Sequence, residues 1–166
     1  MSAGELAHLR LQRIGFVFQT YNLLPVLTAL ENAEFTLLLQ GMPARQRREK
    51  VEKLFSEIGL AGLEDRRPAQ LSGGQQQRVA VARAMVTEPA LILADEPTAN
   101  LDSASAIALL DVMEQLNRTT GTTFLFSTHD PQVMERAHRL IRLRDGQITG
   151  DETRDGQVAA VTRLAG

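Results

Sequence analysis

Residues 89–97 read Pro-Ala-Leu-Ile-Leu-Ala-Asp-Glu-Pro. The continuous apolar run in this stretch has the length of a strand and is typical of a strand buried on both faces of a parallel sheet. The carboxylates Asp95 and Glu96 follow directly, at the edge where α/β proteins bind ligands. Asp95 is therefore a candidate Mg²⁺ ligand, and Glu96 is a candidate group for polarising an attacking water.

Polar residues follow two other predicted strands in the same way. The apolar residues 122–126 lead into Ser127-Thr128-His129-Asp130, and the strand that begins near residue 13 leads into Gln19. We expect all three strand ends to share one edge of the sheet. His129 is a candidate contact for a terminal phosphate, and Gln19 is a candidate contact for a metal or a water. The structural alternatives are a packed histidine and a glutamine that caps a turn.

The segment Leu71-Ser72-Gly73-Gly74-Gln75 precedes a helix predicted over about residues 75–87. Its glycines and serine expose backbone N–H groups and a hydroxyl at the positive end of the helix dipole, which favours anions. The simpler interpretation is a glycine turn with an ordinary N-cap.

Strand and helix patterns alternate along the chain, which predicts an α/β domain with a largely parallel sheet. Thr28 and Glu31 form a capping box before a helix, and Gly41 and Pro43 separate that helix from the next one. Asp145-Gly146 predicts a hairpin turn. Residues 151–166 are expected to form a peripheral tail.

Composition excludes several classes of protein. The 166 residues contain no cysteine, which excludes disulfide scaffolds, cysteine nucleophiles and zinc sites built on cysteine. The net charge of −2 lacks the excess of basic residues that is typical of nucleic-acid-binding proteins. No apolar stretch has the length of a membrane span, and the N-terminus has no secretory pattern, so a soluble cytoplasmic location is the default expectation.

The order of these segments resembles the nucleotide-binding subunits of ATP-binding-cassette (ABC) transporters over about residues 4–150. Gln19 corresponds to the Q-loop of that family, and residues 71–75 correspond to its signature motif. Residues 91–97 correspond to Walker B with its following glutamate, residues 100–102 to the D-loop, and residues 127–129 to the H-loop. Within the family, the chain looks like the branch that serves lipoprotein release and macrolide export.

The resemblance implies a P-loop NTPase-type parallel sheet core and a helical signature subdomain over about residues 28–88, within a domain spanning 1–150. It implies ATP and Mg²⁺ as ligands, a second cassette arranged head to tail, and an integral-membrane permease that holds the chain at the inner face of the membrane. The implied catalytic residues are Glu96, His129 and Gln19; the metal ligands are Asp95 and Gln19; the residues that contact nucleotide or its site are Ser72, Gly73, Gly74, Gln75 and Asp102.

One family motif has no counterpart in these residues. No Gly-x-x-x-x-Gly-Lys-Ser/Thr sequence occurs, and the only lysines are Lys50 and Lys53. We therefore expect an N-terminally incomplete domain that is inactive alone, in which the strand at 122–126 lacks one neighbour. Two alternatives are a degenerate cassette that acts as a non-catalytic binding partner and a soluble ABC ATPase without a transport role.

Overall fold

The computed structural model describes residues 2–154 and the backbone of residues 160–165. The helices are α1 (Ala3–Arg13), α2 (Ala29–Leu39), α3 (Ala44–Glu57), α4 (Gly73–Met85), α5 (Ser103–Thr120) and α6 (Pro131–Glu135). The strands are β1 (Ile14–Val17), β2 (Leu91–Asp95), β3 (Thr123–Ser127), β4 (Arg139–Arg144), β5 (Gln147–Thr153) and β6 (Ala160–Ala165). In the part of the chain so described, no helix is long and apolar enough to cross a bilayer.

All of these strands belong to one sheet, with the order β1-β2-β3-β6-β4-β5. Neighbouring strands are parallel except β4 and β5, which are antiparallel. Asp145 and Gly146 connect that pair with φ angles of 51° and 74°, the left-handed backbone that a tight hairpin turn requires. The prediction of a largely parallel α/β sheet with a terminal hairpin is confirmed.

The helix boundaries follow the local signals in the sequence. Thr28 caps α2 and forms the predicted capping box with Glu31: the Glu31 amide donates to Thr28 Oγ1 at 3.2 Å, and the Thr28 amide donates to Glu31 Oε2 at 2.8 Å. Gly41 then takes a left-handed φ of 78°, and Pro43 caps α3. Both α2 and α3 pack against α4, so these three helices form a layer beside the sheet.

The core lies between the helices and one face of the sheet, with α5 contributing buried side chains beside those of the α2–α4 layer. Val17, Ala94 and Phe126 are register partners on β1, β2 and β3, and all three are buried. The β1 backbone approaches α4 closely, because a Cβ on Gly15 would lie 2.7 Å from the Ala84 carbonyl oxygen. This contact places the start of β1 directly against the helix that follows the glycine-rich segment.

The prediction that β2 is buried on both faces is wrong. Ile92 and Ala94 are buried, whereas Leu91 and Leu93 on the opposite face are half-buried. Phe16, the register partner of Leu93 on β1, is 39% exposed. The helices described here cover one face of the sheet, so the apolar run has two faces with different surroundings.

The expected peripheral tail at residues 151–166 and the expected open edge at 122–126 also differ from the described backbone. Residues 151–153 complete β5, and the backbone of 160–165 forms β6 between β3 and β4. β6 pairs with residues 125–127 of β3 and with Arg139–Arg144 of β4, so it supplies partners to that part of the expected open edge.

Candidate functional site

The carboxyl ends of β2 and β3 bring the predicted acidic pair and the histidine together. Asp95 and Ser127 are register partners at the last positions of the two strands. The Glu96 amide donates to the Ser127 carbonyl at 2.9 Å, which attaches the residue after β2 to the end of β3. Glu96 has a φ of 44°, a left-handed conformation that is uncommon for a non-glycine residue and is frequent at functional sites.

The Glu96 carboxylate contacts three groups from the segment that follows β3. Its Oε1 lies 2.6 Å from His129 Nδ1 and accepts the His129 amide at 3.2 Å, and its Oε2 accepts the Thr128 hydroxyl at 3.2 Å. The Glu96 side chain is 21% exposed and the His129 side chain is 72% exposed. The carboxylate is thus held in place, while the imidazole reaches into solvent, where its Nε2 is open to a ligand.

Asp95 differs from Glu96 in its surroundings. Its side chain is exposed, and within residues 2–154 its carboxylate makes no hydrogen bond or ion pair. The same residues hold no cluster of three or more acidic or histidine side chains that would bind a metal on their own. An isolated carboxylate suits Mg²⁺, which typically takes one or two protein carboxylates and completes its shell with water and phosphate oxygens. The residues present therefore fit that ion.

Gln19 is exposed just beyond the end of β1, and its backbone is attached to the loop after β2. The Asn100 side-chain amide donates to the Gln19 carbonyl at 2.9 Å, and the Tyr21 hydroxyl donates to the Asn100 carbonyl at 3.3 Å. The segment after Gln19 turns sharply, because Tyr21 and Asn22 have φ angles of 55° and 49°. Asn100 thus joins the loop that carries Gln19 to the loop that carries Glu96.

Arg83 of α4 binds the turn at Tyr21 and Asn22. Its guanidinium donates to the carbonyls of Asn22 and Tyr21 at 2.6 and 2.9 Å. Burial lowers the pKa of Arg83 from its ordinary value. Two consecutive left-handed residues are costly, and charged hydrogen bonds to their carbonyls offset part of that cost.

The glycine-rich segment forms the N-terminus of α4. The Gln75 amide donates to Ser72 Oγ at 3.2 Å, and the Ser72 amide donates to Gln75 Oε1 at 2.9 Å, so both side chains belong to a capping box. Added Cβ atoms on Gly73 and Gly74 would lie 2.9 Å from Tyr21 Oη and 3.2 Å from Ser105 Cβ. The start of α4 thus packs closely against the Tyr21 side chain and against Ser105 at the start of α5.

Asp102 caps α5. Its carboxylate accepts the Ser105 amide at 2.9 Å and the Ser105 hydroxyl at 2.8 Å. These bonds, with the backbone amide as the larger cause, lower the pKa of Asp102 below its ordinary value of 3.8. The Asp102 side chain is exposed.

The structure thus brings Asp95, Glu96 and His129 to one edge, with Gln19 joined to them through Asn100. Ser72 and its neighbours lie at the start of α4, close to Tyr21 and to Ser105 of α5, and no hydrogen bond of the described residues joins them to Glu96.

Sequence reasoning missed three residues that shape this site: Thr128, Asn100 and Gln77. Thr128 and Asn100 lie inside motifs that the sequence analysis had already singled out, but their partners are distant in sequence. Gln77 is fully buried in α4, and its side-chain amide donates to the carbonyls of Phe18 and Pro97 at 3.2 and 2.8 Å. Gln77 stands within the polar run Gln75-Gln76-Gln77-Arg78, so the sequence carries no signal that separates it from its half-buried neighbours.

Comparisons with known proteins agree with this arrangement. The family model described as "ABC transporter" matches residues 3–99. The macrolide export ATP-binding/permease protein MacB 1/2 of Paracoccus denitrificans is 48% identical over 160 residues, covering 96% of this chain and 24% of that protein. The lipoprotein-releasing system ATP-binding protein LolD of Aquifex aeolicus is 45% identical over 150 residues, covering 90% of this chain and 66% of that protein.

A solved structure shows the same fold. The dimeric post-hydrolysis state of the ATP-binding cassette MJ0796, bound to ADP and Pi, matches with a TM-score of 0.80 and 40% identity, over 92% of this chain and 68% of that one. The chain therefore spans about two-thirds of the LolD relative and about a quarter of the MacB relative. The predicted fold class, family and branch are confirmed: the relatives of this chain include a macrolide export ATP-binding/permease protein and a lipoprotein-releasing system ATP-binding protein, and the chain belongs to the ABC transporter family.

Proposed function

We propose that the chain serves as the ATP-binding part of an ABC transporter that couples ATP hydrolysis to export or lipoprotein release through a membrane permease. The observation that carries the proposal is the Glu96 carboxylate, held by Thr128 and His129 at the edge of the sheet. Asp95 directly precedes Glu96, and the Asp95 carboxylate has no partner within residues 2–154. An oriented carboxylate next to a metal-binding carboxylate is the arrangement that phosphoryl transfer to water requires.

Each candidate residue has its own role in the proposed hydrolysis. Asp95 would hold Mg²⁺, which when bound supplies positive charge that offsets the charge on the phosphates. Glu96 accepts a proton from the attacking water, and a general base in this role contributes roughly 10²–10⁴ to the rate. His129 is placed to donate to the γ-phosphate from its exposed ring, and Gln19 would contact the metal or the water.

The start of α4 serves a nucleotide held by a second cassette in a head-to-tail pair. Ser72, Gly73, Gly74 and Gln75 form the first turn of a 13-residue helix, whose positive end attracts phosphate. In the capping box the Ser72 hydroxyl oxygen accepts the Gln75 amide, so the Ser72 O–H and the backbone N–H groups of Gly73 and Gly74 are the donors that remain for phosphate. Asp102 would lie across the interface of that pair.

We further propose that the helical layer over about residues 28–88 acts as the arm that carries the signature, within a nucleotide-binding domain covering residues 1–150. This arm and the Gln19 loop would transmit the nucleotide state to the permease, with the cassette attached to the inner face of the membrane. Because these 166 residues hold no Walker A sequence, we assign them the metal, base, γ-phosphate and signature roles only.

The decisive experiment measures ATP hydrolysis by the protein as the cell makes it. The chain is tagged at its chromosomal locus and purified in mild detergent with the membrane partner it retains. Glu96→Gln should leave nucleotide binding and assembly intact and lower turnover by roughly 10²–10⁴, because the amide cannot accept the proton. Glu135→Gln, an exposed change on α6, is the matched control and should retain full turnover.

Two outcomes would contradict the proposal. Wild-type turnover in the Glu96→Gln protein would remove Glu96 from the role of base. Nucleotide binding without turnover in the unmodified protein would favour a non-catalytic cassette that lends its signature face to an intact partner.

A further inference from the structure

Gln77 is a fully buried polar side chain at the centre of α4, and neither the motifs nor the comparisons assign it a role. Its Nε2 donates to the Phe18 carbonyl at 3.2 Å and to the Pro97 carbonyl at 2.8 Å. Its Oε1 is buried and has no hydrogen-bond partner in the described structure. Packing alone would favour leucine or methionine here, because an unpaired buried amide oxygen is costly.

The two carbonyls that accept from Gln77 belong to residues next to two candidate catalytic residues. Phe18 directly precedes Gln19, and Pro97 directly follows Glu96. One amide group therefore joins the ends of β1 and β2 to the helix that begins at the signature segment. Gln77 lies 59 and 20 residues from these acceptors, so the contact depends on the packing of α4 against the sheet edge.

Both loops that Gln77 holds have strained backbones. Glu96 has a φ of 44°, and Tyr21, three residues after Phe18, has a φ of 55°. Such conformations persist only where surrounding contacts determine them. The Phe18 carbonyl also accepts the Tyr21 amide at 3.4 Å, so removal of Gln77 leaves it one long bond. The hydrogen bonds in this structure give the Pro97 carbonyl no other donor.

We propose that Gln77 is a positioning residue, which sets the placement of the Gln19 and Glu96 loops relative to the signature helix. This proposal rests on the proposed function, because it assigns Gln77 to the same hydrolytic site. Through this amide, a displacement of α4 when its N-terminus meets nucleotide would reach both loops. Gln77 touches no substrate and acts only through its effect on Gln19 and Glu96.

The test compares Gln77→Met with Gln76→Met, two changes of equal size at adjacent positions of α4. Gln76 makes one side-chain hydrogen bond, to the Leu71 carbonyl at 3.1 Å, and that carbonyl lies outside both loops. Gln77→Leu is a second variant in case the first does not fold. Hydrogen exchange of peptides that cover residues 17–22 and 95–99 is measured without nucleotide, and ATP turnover is measured on the assembly described above.

Gln77→Met should raise exchange in these two segments by about five- to tenfold, the factor that one lost hydrogen bond corresponds to, while the rest of the chain keeps its protection. In the turnover assay, kcat should fall and KM for ATP should stay unchanged, because Gln77 makes no hydrogen bond to Asp95, His129 or the start of α4. Gln76→Met should change neither measurement.

A uniform rise in exchange along the whole chain, or equal exchange in the Gln77→Met and Gln76→Met proteins, would overturn the positioning role. A rise in KM without a fall in kcat would do the same. The exchange measurement does not depend on turnover. If the wild-type assembly is inactive, the proposed function fails, but the exchange result still decides whether Gln77 holds the two loops.

Discussion

Asn32 offers the sharpest test of how the loop after β1 is attached to the helical layer. The side chain is 1% exposed and makes four hydrogen bonds. Its Oδ1 accepts the Leu24 amide at 2.7 Å, and its Nδ2 donates to the carbonyls of Leu24, Leu27 and Thr28 at 3.1, 3.2 and 2.9 Å. One side chain thus satisfies most of the backbone of the turn that enters α2.

The expected fall in the free energy of unfolding follows from the backbone groups that lose a hydrogen bond when Asn32 is truncated. The carbonyls of Thr28 and Leu24 keep the Asn32 and Leu27 amides as donors at 2.9 and 3.1 Å, so Asn32→Ala leaves two groups without a partner among the described residues: the Leu24 amide and the Leu27 carbonyl. At about 1 kcal/mol for each lost bond, the free energy of unfolding should fall by about 2–4 kcal/mol. Asn32→Asp should cost about 3–5 kcal/mol, because it places an uncompensated charge against three carbonyl oxygens.

Urea denaturation followed by far-ultraviolet circular dichroism measures both variants. Asn117→Ala is the matched control, because the Asn117 side chain makes a single hydrogen bond, to the Thr122 carbonyl at 2.8 Å, and should lose only about 1 kcal/mol. An Asn32→Ala protein no less stable than the Asn117→Ala protein would refute the assignment of the loop's stability to Asn32.

Two further predictions concern packing and pH. Gly15→Ala should lower the free energy of unfolding by about 1–3 kcal/mol, because its Cβ would lie 2.7 Å from the Ala84 carbonyl oxygen. Gly4→Ala, whose Cβ meets only Ser2 Oγ at 4.0 Å, should stabilise α1 by about 0.5–1 kcal/mol, and equal effects in the two denaturation curves would contradict the packing. The depressed pKa of Asp102 implies a stabilising contribution that is present above the ordinary value of 3.8 and lost as the pH falls through the lower folded-state pKa. Asp102→Asn should therefore flatten the acid side of the curve of urea midpoint against pH, and an unchanged slope would contradict this.

The features that the sequence alone determined are those that arise from neighbours along the chain. The capping boxes at Thr28 and Ser72 join residues three positions apart, so their pattern is visible in the sequence and the helix starts follow it. The left-handed turn at Asp145 and Gly146 is equally local. The placement of Asp95 and Glu96 after an apolar run also needed only the rule that parallel strands end at a common edge.

The tertiary structure decided how those pieces meet. Glu96 and His129 are 33 residues apart, and only the register of β2 on β3 brings Nδ1 to 2.6 Å from the carboxylate. The unequal burial of β2 and the position of β6 likewise depend on which elements cover each face and edge of the sheet. Gln77 is the clearest case: its partners, Phe18 and Pro97, lie far from it and from each other in sequence, and no local pattern encodes a buried amide that bridges two strand ends. Hydrogen bonds within one turn of backbone follow from residue order, whereas those between a helix and a sheet edge exist only after the apolar faces have packed.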